Sequence, residues 1–340
     1  MYMEEWNWLR RLCSADAPGE AADIIAGYFQ GFAPVERDAF GSVIARLPAS
    51  GPAGPKILFD AHLDTIGMLV TAIDKDGFLR CASSGRLDAR VLSGAEVTVW
   101  GKSPMPGVIC CLPPHLSRGN DRSATPVEEI AIDIGFASDV AQSMVSPGDR
   151  ITLRQDLKPM HRNLVCGKSL DNRAGAAALI TAAECLKHEK DLPCSVTFLF
   201  SEQEENGGSP AEAAVFRVLP DQAIVVDVSF AASYRTPPEV EAQLGKGPML
   251  GVSANLSRTV FQALEQAAGR AGIAAQIEVM SNRTGTNADR MVGASGGVPC
   301  GLVSIPLRNM HTAAEIVDLN DVRQTGLLLA EYAKEGGCHA

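Results

Sequence analysis

Apolar positions along the chain follow two rhythms. "KILFDA" from residue 56, "SVTFLF" (195–200), "AIVVDV" (223–228) and "VPCGLVSIP" (298–306) are nearly unbroken apolar runs. Short continuous runs of this kind predict strands covered on both faces. Other stretches carry the helical period. Residues 4–30 repeat apolar positions at helical spacing on either side of "SADAPGE". "AGAAALITAAECLKHEK" (174–190) is rich in helix formers and ends in Lys and His, as a helix C-terminus prefers. "NLSRTVFQALEQAAGRAG" (255–272) predicts a helix closed by Gly, and "DLNDVRQTGLLLAEYAKEG" (318–336) one opened by an Asp or Asn cap. Strand and helix alternate, which predicts an α/β fold with a largely parallel sheet.

The texture changes between 66 and 162. "GMLVTAIDKDGFLRC", "AEVTVWGKSPMPGVICCL" and "DRITLRQDL" are short β-type runs broken by Gly, Pro and Asp. Such spacing predicts a small β-domain. The α/β texture returns after 165, so the reading is an α/β domain of 1–65 and 163–340 with a β-domain of 66–162 inserted into it.

Length and composition narrow the partners. A chain of 340 residues, 46% apolar and 21% charged, suits about two globular domains. The net charge of −10 argues against a nucleic-acid partner, which favours a clustered basic face. No uninterrupted apolar run reaches the roughly 18 residues of a membrane helix, so no membrane partner is expected. The opening "MYMEEWNWLRRLC" has early acidic residues and no apolar core, so no signal peptide is expected. Nine cysteines at irregular spacing, without a CxxC, predict reduced thiols and a cytoplasmic location.

The candidate chemistry lies where apolar runs end. His62 and Asp64 follow "KILFDA", Glu204 and Glu205 follow "SVTFLF", Asp227 ends "AIVVDV", and His311 follows "VSIPLRNM". Asp171, in "GKSLDNRAG", stands just before a helix. Ligands of open α/β sheets bind beyond the carboxyl ends of the strands, where these residues converge. Singly, each has an ordinary reading as a cap, a turn or a solvated charge. Jointly they form a cluster of negative charge in which each carboxylate raises its neighbours' pKa. A pair of divalent cations removes that conflict, and mixed His and carboxylate donors suit Zn²⁺, Co²⁺ or Mn²⁺ better than Ca²⁺ or Mg²⁺. Neighbouring strand residues point to opposite faces, so Glu204 and Glu205 should differ in role. Glu205 is assigned to metal and Glu204 to general base. Asp64, two residues after His62, is assigned to orienting the imidazole.

These motifs resemble the M42 metallo-aminopeptidases, which include glutamyl and tetrahedral (TET) aminopeptidases. "DAHLDTIGMLV", "GKSLDNRAG", "SEQEENG", "VVDVS", "LGKGP" and "IPLRNMHTAAEIVDLNDV" occur in the family's order, and "DGFLRCASSGRLDARVLSGAEVTV" and "PPHL" resemble its insert. The resemblance implies that Asp171 bridges two metals, Zn²⁺ or Co²⁺ first and Mn²⁺ next. His62 and Asp227 would complete one site, and Glu205 and His311 the other. It implies peptide substrates, a barrel-like insert that mediates dimerisation, and homo-oligomers that range from a dimer to a tetrahedral dodecamer. Thr65, residues 206–210 and residues 284–291 depart from the family pattern near the expected pocket, and none of them removes a ligand. The competing readings are an amidase or deacylase using the same metals on a non-peptide amide, and a non-catalytic scaffold. A glycosidase is disfavoured, because its two carboxylates must flank a sugar from opposite sides.

Overall fold

The computed structural model describes residues 2–51, 54–112 and 124–338. The motif "PPHL" (113–116) lies outside them. Two compact units emerge: 1–64 with 157–310 and 315–340, and 65–156 with 311–314.

The first unit is built on an eight-stranded mixed sheet. Four parallel strands form its centre in the order Ser195–Ser201, Lys56–His62, Gln222–Phe230 and Cys300–Leu307. Val43–Leu47 and Val35–Arg37 extend it antiparallel on one side; Met249–Val252 and Gln276–Val279 complete the other. The strand Lys56–His62 lies between strands that come later in the chain, so the connections depart to both sides of it. That reversal is the switch point beyond which α/β sheets bind ligands.

Alternation along Lys56–His62 shows how the sequence sets up the site. Ile57, Phe59 and Ala61 join one apolar cluster with Phe198, Phe200 and the helix Leu170–Leu186. Leu58 joins a second cluster with Leu199, Val225 and Leu302. The row begun by Leu58 continues into Asp60 and His62, both buried. Polar groups thus replace apolar ones on that row as the strand nears its carboxyl end.

The helix Leu170–Leu186 begins four residues before the predicted start, because the segment carrying Asp171 joins it across a local break at Asp171 and Asn172. It packs against the helix Leu319–Lys334, which Asp318 caps through the Asn320 N–H (2.8 Å). The predicted helix at 255–272 runs from Arg258 to Ala271, capped by the Ser257 hydroxyl and closed by Gly272 in the left-handed region. The strand Lys158–Pro159, read from sequence as part of the insert, pairs instead with Leu164–Gly167 and through it with Glu315–Asp318 in the first unit.

The second unit is a closed six-stranded antiparallel barrel. Its strands are Gly67–Ile73, Leu79–Ser84, Glu96–Trp100, Pro104–Ile109, Ile132–Asp133 and Arg150–Leu153. Met68, Val70, Leu79, Val97, Val99 and Ile151 fill its interior. It also holds a short helix, Ser138–Met144, that the β-type texture did not suggest.

Candidate metal centre

His62 ends its strand buried, and its two ring nitrogens face different partners. Nδ1 lies 3.0 Å from the backbone carbonyl of Asp64 and 3.4 Å from its Oδ1. A proton on Nδ1, donated to that carbonyl, fixes the tautomer and leaves Nε2 as the ligating nitrogen. Nε2 is 3.2 Å from Asp171 Oδ1 and 3.6 Å from Asp227 Oδ1. Burial alone would lower the imidazole pKa, but Asp171, Asp227 and Asp64 outweigh it and hold the ring well above its ordinary value.

Each carboxylate is delivered by a separate element. Asp171 stands at the start of Leu170–Leu186, where its N–H donates to Glu315 Oε2 (3.1 Å). Its neighbour Asn172 donates from Nδ2 to the carbonyl of Val226 (2.8 Å), one residue before Asp227. Asp227 accepts the N–H of Val228 at 2.8 Å. Burial, with the nearby charge of Asp171, pushes the Asp227 carboxyl up against the opposing pull of His62.

The loop after Ser195–Ser201 carries the glutamate pair. Asp64 holds that loop: its Oδ1 accepts the N–H of Glu204 (2.9 Å) and its Oδ2 that of Glu205 (3.1 Å). The sequence reading gave Asp64 the imidazole alone; this second pair of contacts is new. Burial raises the Glu204 carboxyl to about 8, with Asp227, Glu205 and Asp64 adding to the rise and His62 opposing it.

The donors gather into two groups that share Asp171. Ligand atoms of His62, Asp171 and Asp227 all lie within 4.8 Å of one another, and so do those of Asp171, Glu205 and His311. The first group is buried throughout. A buried imidazole among carboxylates, each disfavoured by its neighbours' charge, fits a divalent cation bound by nitrogen and oxygen donors. All five residues expected to ligate metal therefore fall into these groups.

Three residues near the site were given no role by the sequence reading, although Asn287 lies in the segment 284–291 that it placed near the expected pocket. Glu315 is buried and meets the Asp171 backbone from 144 positions away. Asp60 is fully buried, and burial pushes it up to about 7. Asn287 donates to Asp60 Oδ2 and to Ser201 Oγ, both at 2.9 Å. Asp60 did leave a signal, since a carboxylate inside "KILFDA" interrupts an otherwise apolar strand.

Known proteins share this chain's sequence and fold. A sequence model described as M42 glutamyl aminopeptidase matches residues 41–328. Lysyl aminopeptidase from Pyrococcus furiosus is 31% identical over 340 residues, covering 95% of either chain. The TET aminopeptidase of a marine sediment thaumarchaeote is 28% identical, with a TM-score of 0.90 over 97% of this chain and 96% of its own. TET1 peptidase from Pyrococcus horikoshii, described as able to assemble into a tetrahedron or a large octahedral shell, is 31% identical, with a TM-score of 0.84 over 97% and 99%. Family match, full-length relatives and paired donor groups agree: this chain belongs to the M42 glutamyl aminopeptidase family, whose members are metal-dependent hydrolases.

Proposed function

We propose that the chain is a two-metal aminopeptidase. His62, Asp171 and Asp227 would hold one divalent ion, and Asp171, Glu205 and His311 the other. The observation that carries this reading is the sharing of Asp171 between the two donor groups. Bound divalent ions supply Lewis acidity, polarising the scissile carbonyl and lowering the pKa of water at the site.

The protein's own groups do the rest. Glu204 is the general base: it takes a proton from the attacking water and returns it to the leaving amine. Its place supports this role: it is a partly buried carboxylate beside Glu205 on the loop that Asp64 holds. Asp64 fixes both partners, holding His62 through Nδ1 and the Glu204–Glu205 loop through its N–H groups. Peptides are the substrates, and the active form is a homo-oligomer paired through the inserted barrel.

The test is a titration of chelator-treated protein with Zn²⁺, Co²⁺ and Mn²⁺ against a panel of aminoacyl-anilides, with an N-acetylated set in parallel. Two equivalents of metal should restore hydrolysis of the free-amine set alone. Equal turnover of the acetylated set would make the chain a deacylase. Full turnover after chelation would remove the metal reading.

A further inference from the structure

We propose that Asn287 is a positioning residue that sets the span of the loop carrying Glu204 and Glu205. The inference rests on the metal-centre reading above.

The side chain of Asn287 is buried and touches both ends of that loop. At the entry, Nδ2 donates to Ser201 Oγ (2.9 Å), on the last residue of Ser195–Ser201. The same nitrogen donates to Asp60 Oδ2 (2.9 Å), on the neighbouring strand and two residues before His62. Both amide protons are thus used, one on each of the two strands that deliver a predicted ligand and the predicted base. At the exit, Oδ1 lies against Gly208. A Cβ at Gly208 would stand 2.6 Å from Oδ1, and Gly208 has φ +67°, so this corner admits only the bare backbone. Arg290, three residues on, packs its Cγ against the same glycine.

The contact therefore closes a triangle. Asp64 fixes the middle of the loop through the N–H groups of Glu204 and Glu205. Asn287 bonds the entry through Ser201, ties it to the strand of His62 through Asp60, and packs against the exit at Gly208. The Asp60–Asn287 pair also needs one donor and one acceptor. Asp60 Oδ1 and Asn287 Oδ1 are both buried without a hydrogen-bond partner, and the Ser201 hydroxyl is the other side chain that hydrogen-bonds Asp60, so losing the Nδ2 donor leaves a buried carboxylate short of a partner.

Full-length Asn287→Asp, Asn287→Ala, Asp60→Asn, and the exchange Asp60→Asn with Asn287→Asp are compared with the unsubstituted protein. The readouts are calorimetric Zn²⁺ titration, kcat and KM on an aminoacyl-anilide, and thermal melting. Asn287→Asp sets two buried carboxylates face to face. It should lose about 10-fold in kcat or Zn²⁺ affinity, the low end of what direct partners of ligands lose, because Asn287 acts through Asp60 and Ser201. In the exchange, the amide introduced at position 60 donates to the carboxylate introduced at position 287, and most of the lost kcat and affinity should return. Gly208→Ala presses on Asn287 from the loop side and should reproduce the loss of kcat if the Asn287 variants melt too low to assay. The proposal is overturned if these variants keep kcat and Zn²⁺ affinity while only melting changes. It is also overturned if the exchange melts normally without recovering kcat. Failure of the unsubstituted protein to bind Zn²⁺ would instead refute the metal centre, so the two failures are separable.

Discussion

At the scale of single residues, the two adjacent glutamates should fail in different ways. Glu204→Gln keeps shape and leaves every proposed ligand in place. It should bind metal almost normally yet lose about 10²- to 10⁴-fold in turnover. Glu205→Gln weakens a ligand, so metal affinity should fall first and activity return in part at high metal concentration. Calorimetry beside steady-state kinetics separates the two, and metal loss in Glu204→Gln would reverse the roles. A second prediction concerns pH. Burial raises Asp60 from 3.8 to about 7 and Asp321 to about 6, and raises Glu204 to about 8. In each case the unfolded chain ionises first, so native stability falls as pH climbs from about 4 through these values. His62 adds the same sign: its raised folded pKa gives stability below 6.5 that is lost as pH rises past the folded value. Chelator-treated protein should therefore melt at progressively lower temperature between about pH 5 and 8. Zn²⁺ competes with the proton for the proposed ligand His62, so its stabilising shift should grow over that range. A flat profile without metal would contradict these burial effects.

Elements explain what could be read in advance. The long Ala- and Leu-rich helices and the central strands were legible because burial on both faces leaves continuous apolar runs. Val35–Arg37 and Gln276–Val279 were not: they are three- and four-residue edge strands, and Ile277 and Val279 stay exposed. The helix Ser209–Val218 hid behind "GGSP", which reads as a turn. Four of the five proposed ligands, His62, Glu205, Asp227 and His311, were legible because each ends or follows an apolar run, and Asp171 because it stands just before a helix. Their supports, Glu315 and Asn287, were not, because their partners lie 144 and 227 positions away and no local period marks such pairing. Close helix packing gives the prediction at this scale. At Gly326, in Leu319–Lys334, a Cβ would stand 2.5 Å from Thr181 Cβ and 2.6 Å from the Ala178 carbonyl of the neighbouring helix. Gly326→Ala should destabilise by about 1–3 kcal/mol, the cost of overpacking, read as a lower urea midpoint. An unchanged midpoint would mean that the two helices separate without penalty.

For the molecule as a whole, the barrel and the sheet make separate demands. Relatives that assemble into closed shells lead us to expect a sedimenting species larger than one chain, and a single-chain mass at micromolar concentration would refute the proposed pairing. The order of segments along the chain has its own consequence. The central strand Lys56–His62 finds its parallel neighbours only in Ser195–Ser201 and Gln222–Phe230. About 140 residues separate the ends of the first two strands, roughly 7 to 28 seconds of synthesis at 5–20 residues per second. During that interval the whole barrel emerges, while Ile57, Leu58 and Phe59 stay without their neighbours. His311, a member of the second donor group, follows Asp227 by 84 residues. The nascent chain thus carries a long-lived sticky strand, and the second proposed cation site cannot be completed until His311 has been made.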